Sequence, residues 1–465
     1  VDSTGLWKAN IADDDTRRSG VGLDHDDSAW STVPVPGHWR NTPEFADNDG
    51  PLIYRHRFHL ERPASGRRAF VTLEGVFYQA DVWLDGAYLG DPEGYFFPHT
   101  FDITSLARLG VDHVLAVEVA CAPQQHLKAK RNITGALQGS STIDPQWNPG
   151  GLWRPVHLLE TGPVRIDRLR VLCRDANDVR AHLRLHARLD TDRQCSATVR
   201  TSVDGVVASE QLKPLAAGIN EVDWDLDVTD PALWWPWSMG DQPLSLVEVE
   251  VLVDGEVSHT RSARTGLREV AVHDFVFSVN GEQLFVKGAN LAPTRQALAD
   301  ATPDEVRRDV ELARDAGLDL IRVNGHIARP ELYDAADELG MLVWQDFPLQ
   351  AAYARTIRKE AVRQARAAVD QLGHHPSIAV WCAHDDPAPA AEPRVRSAGA
   401  SMVRTLLHHQ APSWNRTILD RWVRRAFESA DETRTVVTHS GVAPNPTEID
   451  GSASHLFFGW SNGKE

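Results

Sequence analysis

Between Val179 and Leu189 the chain alternates strictly. Val179, Ala181, Leu183, Leu185, Ala187 and Leu189 are apolar, and Arg180, His182, Arg184, His186 and Arg188 separate them. A period of two belongs to a strand with one face on a core and the other on solvent, and it excludes an amphipathic helix. His182 and His186 therefore read as outward-facing strand positions rather than metal ligands. Asp204-Gly205 and Asp254-Gly255 supply the positive φ of tight hairpins on either side. Residues 163–270 are thus expected to form an immunoglobulin-like β-sandwich.

Residues 1–162 have the same character. In Tyr54-Arg-His-Arg-Phe-His-Leu60, alternation puts Tyr54, Phe58 and Leu60 on one face and Arg55 and Arg57 on the other. Ala69–Leu73, Ala80–Leu84 and Val114–Val119 read as further strands, and Asp85-Gly86 turns a hairpin. Short strands with Gly and Pro punctuation predict a jelly-roll sandwich.

After a last hairpin at Asn280-Gly281 the period changes, and strands alternate with helices. Leu284–Gly288 reads as a strand. Thr302-Pro-Asp-Glu305 then caps a helix whose apolar face is Val306, Val310, Leu312 and Ala313, with Gly317 ending it. Strands follow at Leu318–Val323, Met341–Trp344, Ile378–Cys382 and Thr435–Thr438, with helices at Pro330–Leu339, Arg355–Leu372 and Thr417–Ala430 between them. The cadence predicts a parallel sheet and, over residues 271–465, a (β/α)8 TIM barrel, with a doubly wound sheet as the alternative. The fold class is therefore multidomain, β followed by α/β. No GxGxxG follows the first strand and no Walker motif occurs, so nothing points to a nucleotide.

Composition narrows the function classes. Lys and Arg number 48 against 65 Asp and Glu, a formal charge of −17. Such a balance argues against gripping nucleic-acid phosphates or docking on an anionic membrane. No run of ~18 apolar residues suggests a membrane span, and Val1–Asn10 lacks a signal-peptide pattern. Cys121, Cys173, Cys195 and Cys382 form no CxxC or zinc-like spacing and read as buried free thiols of a reducing, cytoplasmic compartment. The 15 Trp outnumber the 6 Tyr; Trp serves in cores and as a stacking platform for sugars.

In a barrel, chemistry sits at the C-terminal ends of the strands. Those ends carry Asn290, then Asn324 and His326, then Gln345-Asp346, then His384-Asp385-Asp386, then His439, with a sixth candidate strand end at His455–Trp460. Carboxylates, amides and Trp on one rim, without a metal cluster, suit carbohydrate chemistry, in which two carboxyl groups flank a glycosidic bond. An isolated Asp at a strand end also serves as a hydrogen-bond acceptor or a helix cap.

The motifs resemble glycoside hydrolase family 2, in its β-mannosidase-like branch. The resemblance covers nearly the whole chain. In the first part it rests on Val33-Pro-Val-Pro-Gly-His-Trp39, Tyr54-Arg-His-Arg-Phe58, Val82-Trp-Leu-Asp-Gly86 and Gly150-Gly-Leu-Trp-Arg-Pro155. In the second it rests on Leu233-Trp-Trp-Pro236, Gln242-Pro-Leu244 and Arg264-Thr-Gly-Leu-Arg268. In the third it rests on Val286-Lys-Gly-Ala-Asn290, Ile321-Arg-Val323, Leu342-Val-Trp-Gln-Asp-Phe347, His375-Pro-Ser-Ile-Ala-Val-Trp-Cys382 and Ser454-His-Leu-Phe-Phe-Gly-Trp460.

The resemblance implies retaining hydrolysis of a terminal β-linked sugar without a cofactor. It places an acid/base Glu, preceded by Asn, after the fourth strand and a nucleophilic Glu after the seventh. The chain departs from this twice. Asp386 stands at the acid/base position and Asp385 at the Asn position. An Asp carboxyl is one methylene, ~1.5 Å, short of a Glu carboxyl. Two adjacent acids raise one pKa, which favours a proton donor. No Glu before the end at Glu465 ends a strand, so the nucleophile is missing from the chain as read. The resemblance assigns Asn290, Asn324, His326, Asp346, Asp385, His455 and Trp460 to the sugar site. Two functional readings follow: an exo-glycosidase of β-mannoside type, and a catalytically silent carbohydrate-binding or scaffold protein of the same architecture. β-Glucuronidase or β-galactosidase specificity is a third. No metal site is expected, since His374-His375 and His408-His409 read as turn and helix-surface residues. Asn132-Ile-Thr134 and Asn415-Arg-Thr417 read as chance matches to the glycosylation pattern.

Length then becomes informative. About 195 residues remain for the barrel, against the usual ~250. About six strands are legible, so the barrel is expected to be truncated or completed by another segment.

Overall fold

The computed structural model describes residues 4–60, 66–107, 110–124, 129–138, 147–273, 276–387 and 413–441. The first part is two antiparallel sheets. One has six strands, in the order Ser31–Val35, Gly5–Ile11, Leu52–His59, Asp112–Ala120, Gln79–Leu84 and Ala87–Gly90. The other has three, with Arg68–Leu73 between His99–Asp102 and Val156–Thr161. Trp7, Tyr54, Val71, Leu73, Leu115 and Val117 belong to the core of this part. Arg55 lies on the opposite face from Tyr54, as the alternation requires, yet it is only 1% exposed. The segment around the helix Asp14–Gly20 covers it, and its guanidinium donates to Asp27 Oδ2 at 2.8 Å and Gly22 O at 3.0 Å. Periodicity gives the face of a residue but not what lies over that face.

The second part is a sandwich of a three-stranded and a four-stranded antiparallel sheet. Ala181, Leu183, Leu185, Ala187 and Leu189 are fully buried along the strand Arg180–Thr191, whereas Val179, just before it, is exposed. On the outer face His182 and His186 meet Asp227 and Asp223 at 2.8 and 2.9 Å. Asp204 and Asp254 take positive φ in their hairpins, each followed by a positive-φ Gly.

In the third part five parallel strands lie side by side in sequence order: Gly288–Leu291, Leu320–Val323, Leu342–Asp346, Ile378–Cys382 and Thr435–Val437. A doubly wound sheet would reverse direction after its first strands, and this one does not. Helices Pro303–Asp315, Pro330–Leu339, Arg358–Leu372 and Asp420–Ala430 connect them. The capping box is formed, with Glu305 N donating to Thr302 Oγ1 and Thr302 N to Glu305 Oε2.

Three sequence expectations are corrected here. The first parallel strand begins at Gly288, because Leu284 belongs to a hairpin turned at Asn280-Gly281. Leu312 is half exposed, since a position two residues from Val310 lies on the far side of the helix. His375 is buried rather than on a surface turn, and its Nδ1 meets Asp337 Oδ2 at 2.6 Å. The strand expected at His455–Trp460 and the pair His408-His409 lie outside the described residues. Cys121, Cys173 and Cys382 are buried free thiols, and Cys195 is partly exposed. Among the described residues no helix is long and apolar enough to cross a membrane.

The first part props the C-terminal end of the parallel sheet. Ile327 N donates to Tyr95 Oη at 2.7 Å, and Ala136 N to Gly325 O at 2.8 Å. Both contacts brace the turn that leaves the strand Leu320–Val323.

Candidate active site

Arg322 is the one charged side chain in the strand Leu320-Ile-Arg-Val323, and it is buried. A guanidinium there must find counter-charges inside the protein. It finds two. Nε and Nη2 donate to Asp346 Oδ2 at 3.0 and 2.7 Å, and Nη2 also reaches Asp385 Oδ1 at 2.8 Å and Ser440 Oγ at 2.6 Å. Asp346 ends the third parallel strand, and Asp385 lies just beyond the fourth.

The remaining lone pairs of both acids are also used. Asp346 accepts from Asn324 Nδ2 at 3.2 Å, Gly325 N at 3.1 Å and Trp344 Nε1 at 3.0 Å. Asp385 accepts from Ser440 Oγ at 2.9 Å, Gln350 Nε2 at 3.1 Å and Asn324 Nδ2 at 3.3 Å. Burial pushes the Asp346 carboxyl up to about 6, although Arg322 pulls it down. Yet every Asp346 partner named here is an N–H donor, an arrangement that suits its carboxylate, so the ionised form is the one the site holds. Burial opposes the charge of Arg322, but Asp346 and Asp385 outweigh it and hold the guanidinium above its ordinary value.

Asp386 is different. It follows Asp385 with a φ of +42°, and its amide is tied to Ser440 O at 3.0 Å. Among the described residues no hydrogen bond reaches its carboxyl group. Burial first, and the neighbouring Asp385 charge second, push that group up to about 6. The site therefore sets one acid without a side-chain partner among the described residues, its carboxyl pushed up to about 6, beside a second acid clasped by Arg322.

The structure brings together Asn324, Asp346, Asp385 and Asp386. Asn290 stands in register beside Arg322 on the first strand but is exposed and makes no hydrogen bond to the cluster. His326 is buried, and burial lowers it to about 4. Its Nδ1 donates to Asn324 O at 2.9 Å, so the neutral ring steadies the turn rather than the carboxylates. Gln345 is spent on structure, accepting from Tyr333 Oη at 2.6 Å and donating to His326 O at 2.7 Å. His384 is buried against Ala351 O at 2.7 Å, and His439 pairs with Asp420 at 2.9 Å. His455 and Trp460 lie outside the described residues.

Sequence reasoning gave no role to Arg322, Gln350 or Ser440. Arg322 was findable, because a lone cation in an apolar strand implies buried acids. Gln350 and Ser440 sit in loops and carry no such signal.

Two family models match the chain. Residues 41–150 match the glycosyl hydrolase 2 galactose-binding domain-like family, and residues 164–268 match glycosyl hydrolases family 2. β-Mannosidase B of Emericella nidulans is 29% identical over 378 residues, 73% of this chain and 44% of its own length. An exo-β-D-glucosaminidase of Hypocrea jecorina is 29% identical over 63% of this chain and 34% of its own length. The chain spans less than half the length of these relatives. Among solved structures, a β-D-mannosidase from Dictyoglomus thermophilum superposes with a TM-score of 0.76 at 19% identity, covering 95% of this chain and 57% of that one. An exo-chitosanase of Amycolatopsis orientalis gives 0.76 at 19% identity, covering 97% and 54%. Those two likenesses concern the fold. Two successive segments of the chain thus match glycosyl hydrolase family 2 domain models, and the chain is similar to β-mannosidases over most of its described length.

Proposed function

We propose that this protein is an exo-acting glycoside hydrolase that cleaves terminal β-linked, mannoside-like sugars by a retaining two-carboxylate mechanism. Residues 1–162 are read as a jelly-roll sugar-binding domain, 163–270 as an immunoglobulin-like sandwich and 271–465 as the catalytic domain. The five parallel strands, kept in sequence order with helices between them, support reading that last part as the opening units of a (β/α)8 barrel. The free thiols support a reducing, cytoplasmic setting.

The observation that carries the reading is Asp386, an acid beyond the fourth parallel strand with no side-chain partner among the described residues and a carboxyl pushed up to about 6. Its protonated form can donate to the glycosidic oxygen as the bond breaks, and its ionised form can then take a proton from the attacking water. Asp385 and Asp346, clasped by Arg322, are poor nucleophiles because their lone pairs are occupied. They instead hold Asn324 and the loop of Asp386 in place. The nucleophile is not among the described residues of this cluster. Asn324, Asp346, Asp385 and, beside Arg322 in register, Asn290 are read as the residues that shape the sugar site, together with His326, His455 and Trp460.

A silent carbohydrate-binding protein is the second reading, favoured by the self-satisfied Arg322–Asp346–Asp385 network. Aryl β-D-mannoside, β-D-glucuronide and β-D-galactoside hydrolysis separates the readings. Turnover of the mannoside above a buffer blank supports the enzyme and its branch. Binding of mannose without turnover of any of the three overturns it in favour of the second reading.

A further inference from the structure

A cavity of about 320 Å³ opens where the three parts of the chain meet, away from the carboxylate cluster. Its wall includes His99 and Phe101 of the first part, the guanidinium groups of the second, and the helix Arg358–Leu372 of the third. Arg165, Arg168, Arg188, Arg261 and Arg363 line it, against Asp167 and Asp370 among the described residues.

The acids here are oversubscribed. Asp167 serves Arg165 at 2.6 Å, Arg188 at 3.3 Å and Arg168 at 3.8 Å. Asp370 serves Arg168 at 3.0 Å and also Arg170. Asp190, behind the wall, is shared between Arg68 at 3.0 Å and Arg165 at 3.7 Å. Arg363 turns to Glu360 at 2.5 Å. The half-buried Arg261 side chain has no hydrogen bond or ion pair among the described residues. Burial lowers its pKa while Asp167 opposes that shift. The Arg165 side chain is only 6% exposed, and its Nε has no hydrogen-bond partner.

A buried cation left short of counter-charge is costly, and a bound anion is the direct remedy. Guanidinium forks match the geometry of tetrahedral oxyanions. The volume lies within the ~300–1,000 Å³ range of small-molecule sites and exceeds what a lone phosphate fills.

We propose that this three-part cavity binds a phosphate- or sulfate-type oxyanion, free or carried as an ester on a small molecule, with Arg261 and Arg165 as its principal donors. Because its walls come from all three parts, the anion also ties them together. The inference does not depend on the sugar chemistry at Asp386.

Titration calorimetry on the whole chain tests it, with inorganic phosphate and a hexose 6-phosphate as probes and sodium chloride holding ionic strength constant. Saturable binding of at least one probe is expected, weakened at least ~10-fold in both Arg261→Gln and Arg165→Gln. Far-UV circular dichroism of each variant checks that the fold is kept. Tighter binding of the ester assigns the site to an esterified ligand, and equal binding assigns it to the free anion. No saturable binding of either probe, or binding unchanged in Arg261→Gln, overturns the proposal.

Discussion

Asp385 and Asp386 are consecutive residues with opposite electrostatic fates. Asp385 meets Arg322 Nη2 at 2.8 Å and Ser440 Oγ at 2.9 Å, while Asp386 has no side-chain partner among the described residues. An acid clasped by a cation thus stands beside one whose carboxyl is pushed up to about 6. That asymmetry is how adjacent carboxyl groups divide roles between fixed charge and proton donor.

The Asp386 shift predicts a pH dependence of stability. Its folded pKa of about 6 exceeds the ordinary 3.8, so the folded chain binds the proton more tightly. The contribution to stability is full below the ordinary value and is lost as pH rises towards about 6. Urea midpoints of the wild type relative to Asp386→Asn should fall across that window and level off above it. A difference that rises with pH contradicts the assignment.

Arg322→Met should be among the most damaging single changes in the parallel sheet. It leaves Asp346 and Asp385 buried without a cation, a loss of ~3–5 kcal/mol. Chemical denaturation measures it, and a cost below ~1 kcal/mol would show that the two acids find other compensation.

Gly135→Ala should disturb the site from a different part of the chain. A methyl group there would lie 1.8 Å from Gly325 O, at a φ of +51°. Gly325 N is a donor to Asp346, so the clash is transmitted to the carboxylate cluster. The expected result is a destabilisation of at least ~2 kcal/mol, the size that marks overpacking against backbone, read from thermal or urea unfolding.

Arg268→Met should weaken the hold of the second part on the third. Arg268 is fully buried and donates to Pro376 O at 2.9 Å and Ile378 O at 2.8 Å, on the approach to the fourth parallel strand. Pro376 O loses its donor, at ~1–3 kcal/mol, while Ile378 O keeps the one from Arg434 Nε at 2.7 Å. Separation of the unfolding transition into two steps is the expected signature, followed by tryptophan fluorescence and circular dichroism together.

The elements were legible in the sequence wherever a period ran long enough. The alternation from Ala181 to Leu189 and the capping box at Thr302 are both present as read. Arg55 and Leu312 show the limit: a pattern assigns a face, but burial depends on what a distant segment lays over it. At the site, Asp346, Asp385 and Asn324 were reachable from the strand ends. Ser440 and Gln350 were not, because loops meeting across a sheet leave no period behind. The Arg261 cavity was equally invisible, since its walls come from residues far apart in the chain.

The central claim is that Asp386 is the proton donor of a β-mannosidase-type reaction. Its most direct test is the kcat/KM of the full-length protein towards 4-nitrophenyl β-D-mannoside, compared between wild type and Asp386→Asn. A general acid contributes ~10²–10⁴-fold, so a loss of that size is predicted, with the wild-type rate falling above about pH 6. Equal kcat/KM in the two proteins, or a mannoside left uncleaved by the wild type, would contradict it.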